Sequence, residues 1–163
     1  MTFEYEYNGM KITFTYSAKD YVATYDSQYC ELKGYRHMMY MAPLVFSEDF
    51  LRKKCCMDIA VCFEKIIQFL GDHPDFIQNA KQELEKLIAP YEVELAELRQ
   101  KKMEMKKLFK HGKISEKEYK SVIEQLREME LKIHRTKFNF YRQLEEEYEI
   151  DLEGIKHLLL GEW

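Results

Sequence analysis

Residues 2–16 read TFEYEYNGMKITFTY. Phe3, Tyr5 and Tyr7 alternate with polar residues, and so do Met10, Ile12, Phe14 and Tyr16 beyond Asn8-Gly9. Alternation puts one set of side chains on one face of a strand, and Asn-Gly is the preferred pair for a two-residue type I′ turn. Such a loop pairs Tyr7 with Met10, Tyr5 with Ile12 and Phe3 with Phe14, all on one face. It also sets Glu6 opposite Lys11 on the other face, a favourable cross-strand pair. Turn, register and charge agree on a β-hairpin. A chain that otherwise reads as helical thereby becomes α+β.

Working outward, residues 20–25 (DYVATY) read as a third strand, with 17–19 as the connection. Residues 28–40 are less regular: Cys30 and Leu32 alternate weakly, Gly34 allows a turn or bulge, and RHMMYMA suits either a strand or a helix start. The expectation is a four-stranded antiparallel meander whose aromatic face a helix must cover. That helix follows. Ser47 is a good N-cap, with Glu48 and Asp49 in the first turn. Leu51, Cys55, Ile59, Cys62, Ile66 and Leu70 recur at helical spacing, and Phe50, Met57, Val61, Phe63, Ile67 and Phe69 widen the apolar surface, as in a largely buried helix. Gly71 is expected to stop it, and Asp72 to cap the next helix, with His73 and Pro74 in its first turn.

From residue 75 the composition turns charged and helical. Pro90 is expected to kink or break the helix near 88–90. Beyond it Tyr91, Leu95, Leu98, Met105 and Phe109, with Lys102 filling the gap, are spaced as a heptad seam. Tyr119, Val122, Leu126, Met129, Ile133, Phe140 and Leu144 continue that seam. Between the two runs lies KHGKISEKEY, residues 110–119. Gly112 is placed to end the first helix. Ser115 and Glu118 form a capping box, and Ile114 and Tyr119 hold the positions of a hydrophobic staple. The reading is a tight antiparallel, coiled-coil-like αα-hairpin.

The stretch 108–126, LFKHGKISEKEYKSVIEQL, resembles SHOCT-type short domains, in which an apolar helix is followed by Gly, Ile, Ser/Thr, acidic residues and an aromatic. The resemblance implies oligomerisation. It covers about twenty residues, and here they sit inside a much longer hairpin instead of in a terminal appendage. After the hairpin, 151–163 forms a short C-terminal helix. Asp151 caps it, Leu152, Ile155, Leu158 and Leu159 give it an apolar face, and Gly161 ends it. It is expected to dock back on the N-terminal domain. The domains are therefore 1–73 (meander plus core helix), 74–150 (helical hairpin) and 151–163.

The chain's 163 residues, 46% hydrophobic, are enough for a real core. Its net charge of −4 gives no global case for nucleic acid or an acidic membrane. Residues 1–7 are acidic and alternating, not basic and then apolar, so no signal peptide is expected. Apolar runs such as 59–63 are too short to span a bilayer. Cys30, Cys55, Cys56 and Cys62 include three in one helical run and lack a C-x-x-C knuckle. They read as reduced core thiols of a cytoplasmic protein, with neither a disulfide framework nor a metal site. No P-loop, dinucleotide fingerprint, zincin or nucleophile-elbow motif occurs, and no cofactor or catalytic residue is expected.

Two surfaces remain as candidates. Tyr35, Arg36, Met38 and Tyr40 lie in the irregular stretch, and exposed Tyr, Met and Arg suit protein binding. At the hairpin tip, residues 99–120 hold nine lysines and arginines against Glu104, Glu116 and Glu118. Lys106, Lys107, Lys110, Lys113 and Lys117 would contact phosphate if nucleic acid is the partner. The far end is acidic, with Glu145, Glu146, Glu147, Glu149, Asp151, Glu153 and Glu162 against Arg142 and Lys156. The functional expectation is a non-catalytic protein-interaction module that binds another protein or itself, in the style of a mobile-element-encoded inhibitor, adaptor or assembly factor. Nucleic-acid binding through the tip is the alternative.

Overall fold

Alternation at the N-terminus produces the expected pairing. In a computed structural model that describes residues 2–16, 20–37 and 48–161, strand β1 (Thr2–Tyr7) pairs antiparallel with β2 (Met10–Tyr16). The register is Tyr7–Met10, Tyr5–Ile12 and Phe3–Phe14 on one face and Glu6–Lys11 on the other. Asn8 and Gly9 hold φ of 47° and 82°, the two positive values a type I′ turn requires. Strands β3 (Asp20–Asp26) and β4 (Glu31–His37) complete a sheet of order β1-β2-β3-β4. Between them the Ser27 hydroxyl donates to the Cys30 carbonyl at 2.6 Å and accepts from the Tyr29 and Cys30 amides. That side chain sets the turn.

One face of the sheet supplies the core. Ile12, Phe14, Ala23 and Leu32 are fully buried, and Phe3 stacks on Phe14 at 5.4 Å. Helix α1 (Glu48–Asp72) contributes Cys56, Ile59, Ala60, Phe63, Ile66 and Leu70 to the same core. Gly34 in β4 is what admits it so closely. A Cβ there would lie 3.3 Å from Ile59 Cγ2 and 3.4 Å from the Phe63 ring. The segment after the hairpin packs on the same side chains. The Asp151 carboxylate accepts the Glu153 amide at 2.9 Å and starts a 3-10 turn, Glu153–Ile155, followed by α4 (Lys156–Leu160). In that turn a Cβ on Gly154 would fall 2.6 Å from Ile66 Cδ1 and 3.3 Å from Phe63. Phe63 is thus held between two glycines, one from β4 and one from the C-terminal turn.

Two expectations about helix ends are corrected. Gly71 does not stop α1, which runs through Asp72. Its missing side chain instead makes room for the Tyr29 hydroxyl, 3.0 Å from where a Cβ would stand. Asp72 consequently belongs to α1, and helix α2 begins only at Phe76. Of the kink or break expected near 88–90, the break does not occur: α2 is one helix of 35 residues, Phe76–Lys110, with Pro90 inside it. Proline removes one hydrogen bond, to the Lys86 carbonyl. Pro90 and Lys86 are both exposed, so the loss falls on the solvent side of the helix, while Ile88 and Leu95 on either side stay buried. Ser47, the expected N-cap of α1, lies outside the described residues.

Helix α3 (Glu116–Tyr148) packs antiparallel on α2. The shared seam buries Ala80, Leu84, Ile88 and Leu95 from α2 against Val122, Leu126, Met129, Ile133, Phe140 and Leu144 from α3. The chain resolves into two compact units, Met1–Ile77 with Glu145–Trp163, and Gln78–Leu144. In the first, Phe69, Phe76 and Tyr148 meet edge to face at 4.8–5.2 Å. Among the described residues, no helix is long and apolar enough to cross a membrane.

Candidate interaction surface of the helical hairpin

The tip is built by local chemistry. Gly112 takes φ 67° as the left-handed residue after α2, a conformation that costs glycine nothing. The Gly112 amide donates to the Phe109 carbonyl at 3.1 Å and the Lys113 amide to the Leu108 carbonyl at 2.9 Å, the paired bonds of a Schellman stop. Ser115 then opens α3. The Glu118 amide donates to the Ser115 hydroxyl at 3.2 Å, and the Ser115 amide to the Glu118 carboxylate at 2.8 Å. This reciprocal box satisfies two amides that a helix start otherwise leaves open. Across the turn Phe109 and Tyr119 stack at 5.4 Å, closing the seam.

Behind the tip the two helices leave an open groove of ≈ 530 Å³, lined by Arg99, Lys102, Met103 and Lys106 from α2 and Ile123, Leu126, Arg127 and Glu130 from α3. Four cations therefore surround one carboxylate, and Arg99 already lies 3.7 Å from that carboxylate. Lys102 sits in the seam where a hydrophobe is missing and is half-buried, as its aliphatic stem allows. Met103, 66% exposed, Ile123 and Leu126 form the apolar part of the lining. Nearer the start of α3, the Lys120 ammonium lies 2.9 Å from the Glu116 carboxylate. That hydrogen bond and its charge hold Glu116 below, and Lys120 above, their ordinary pKa values.

The expected tip residues Lys106, Lys107, Lys110, Lys113 and Lys117 are all exposed, but only Lys106 lines the groove. Arg99, Lys102 and Arg127 complete it. The signal for Arg99 and Arg127 lay beside the seam, next to Leu98 and Leu126, since residues adjoining heptad core positions face the partner helix's flank, and Lys102 already filled the gap in the seam itself. Of the four residues of the other expected surface, only Tyr35 has a described side chain. Tyr35 is half-buried and lines a space of only ≈ 10 Å³ with Gly34, Ile59, Cys62, Phe63, Glu153 and Gly154, room for about one water. Arg36 is placed in β4 opposite Tyr21, and Met38 and Tyr40 lie outside the described residues. No group of three or more His, Cys, Asp and Glu side chains among the described residues is placed to hold a metal ion. Comparison with family models, curated proteins and solved structures yields no match.

Proposed function

We propose that this chain is a non-catalytic protein-interaction module whose helical hairpin carries the binding surface, and whose partner is another protein or a second copy of itself. The observation that supports this is where the apolar side chains stand. Of the ten large hydrophobics exposed among the described residues, seven (Leu87, Val93, Met103, Leu108, Phe109, Leu131 and Phe138) belong to the hairpin unit Gln78–Leu144. Contiguous or groove-associated apolar surface rimmed by charge is the composition of an interface. The seam itself is not available for this, because Leu126 and its neighbours are buried within the chain. An inhibitor, adaptor or assembly factor working in the cytoplasm is the corresponding role. Its cysteines suit a reducing compartment: Cys56 is buried and Cys30, Cys55 and Cys62 are half-buried.

A second reading, nucleic-acid binding, is favoured by the five exposed tip lysines alone. One experiment separates the two. Wild-type chain and a variant with the tip lysines outside the groove, Lys107, Lys110, Lys113 and Lys117, changed to Glu are used for affinity capture from native lysate, with and without nuclease. A stoichiometric, nuclease-resistant protein retained by both supports the interaction module. Nuclease-sensitive material retained only by the wild type would replace it with the second reading.

A further inference from the structure

The groove and the end of α3 carry opposite, mutually fitting charge. We propose that the groove lined by Arg99, Lys102, Lys106 and Arg127 seats the acidic segment 146–151 of a second copy of the chain. This deepens the interaction reading above and rests on it.

The groove presents four cations against Glu130 alone, and Arg99 takes up part of that charge at 3.7 Å. An occupant must therefore bring negative charge. It must also bring apolar surface, because exposed Met103 and half-buried Ile123 share the lining. A phosphodiester backbone supplies only the first, and the groove has no aromatic ring on which a base would stack. Segment 146–151 supplies both: Glu146, Glu147, Glu149 and Asp151 are exposed, Tyr148 is 37% exposed and Ile150 is half-buried.

The segment also stands to gain from such a contact. Glu146 and Glu147 lie in the last turn of α3, where the helix dipole disfavours negative charge, and that turn contains no basic residue. Glu149 then ends the helix with φ 51°, and the Ile150 amide donates back to the Glu145 carbonyl at 3.2 Å. The backbone that carries these carboxylates is thus held in a defined turn, which lowers the ordering penalty of binding. Lengths are compatible as well. Residues 99–106 span about 10 Å of helix, and the acidic segment is a short one, the last residues of α3 and the turn after it. In such an association each copy offers a groove and accepts one, so the partner's carboxylates complete a site that a single chain leaves cationic.

The test is sedimentation equilibrium of the full chain at low salt and at about 0.5 M salt. The wild type is expected to exceed the 19.8 kDa of one chain at low salt. Its dissociation constant should rise about tenfold or more at the higher salt. A groove-reversed variant (Arg99→Glu, Lys106→Glu, Arg127→Glu) and an end-reversed variant (Glu146→Lys, Glu147→Lys, Glu149→Lys) should each sediment as single chains, and their equimolar mixture should associate again. Circular dichroism checks folding, and the milder pair Lys106→Ala with Arg127→Ala, expected to weaken association several-fold, serves if a reversal unfolds. A wild type that stays a single chain at low salt overturns the proposal. So does an association indifferent to both reversals, which leaves the interaction reading standing on another face. A single-chain wild type that binds labelled single-stranded DNA of about twenty nucleotides, and loses it on groove reversal, gives the groove to phosphate and overturns both.

Discussion

In the unit that holds the sheet, Ile12, Phe14, Leu32, Cys56, Ile66, Leu152 and Ile155 reach 0% exposure, whereas the buried residues of the hairpin stop at 2–9%. The difference follows from the number of layers. Sheet, α1 and the C-terminal turn enclose their core from three sides. Two helices packed on each other offer one stripe apiece and leave most of each cylinder to solvent. The sheet unit uses its apolar residues to fold, and the hairpin keeps a share of them outside. Exposed apolar surface accumulates where the architecture lacks a third layer.

That contrast is open to attack at several strengths. Phe14→Ala should reduce stability most, by about 3–5 kcal/mol in urea unfolding, because the ring is fully enclosed. Leu126→Ala, in the middle of the seam, should cost less, about 2–3 kcal/mol, since solvent already reaches its surroundings and the gap can relax. Equal losses at the two sites would erase the distinction between the units.

Smaller effects sharpen it. Gly112→Ala, forcing a side chain into φ 67°, and Ser115→Ala, removing the cap, should each cost about 1 kcal/mol. Hydrogen exchange should show the loss at the tip amides while those of β2 and β3 keep their protection. The smallest effect is electrostatic. Glu116 titrates below the ordinary carboxylate value because Lys120 bonds to its charged form, so the pair is intact above that value and is lost as pH falls through the lowered one. Lys120 is raised, so on the alkaline side the pair lasts until pH rises through the raised lysine value. Carboxyl NMR should place Glu116 below the ordinary carboxylate value, and Lys120→Met should return it toward that value.

The parts of this molecule legible in the sequence are those decided by neighbours along the chain. Asn8-Gly9 with flanking alternation was sufficient for the β1–β2 register, and Gly112, Ser115 and Glu118 for the turn of the hairpin. Continuity of α2 through Pro90 was not legible, because it depends on burial of Ile88 and Leu95 against α3 and not on local propensity. Gly71 misled for a related reason: a glycine that admits Tyr29 looks, in one dimension, like a glycine that ends a helix. The candidate site fell between these cases. A lysine excess at the tip was plain, but Arg99, Lys102, Lys106 and Arg127 converge only once two helices lie side by side in a definite register. Of Tyr35, Arg36, Met38 and Tyr40, only Tyr35 has a described side chain, and it lines a space too small for a ligand.

The pair of glycines around Phe63 bears on the order in which the chain matures. Gly34 is made early and Gly154 late, with the whole of Gln78–Leu144 between them. As the polypeptide emerges from a ribosome, the sheet and α1 appear first, yet one side of Phe63 and Ile66 stays uncovered until residue 155 is clear of the exit tunnel. The hairpin, whose contacts are local and contiguous, is free to form during that wait. Protease sensitivity of stalled nascent chains should therefore fall first in the hairpin and last in the sheet unit. The oldest part of the chain in synthesis is the youngest in folding, and until it closes its greasy flank is offered to whatever chaperone or neighbour is nearby.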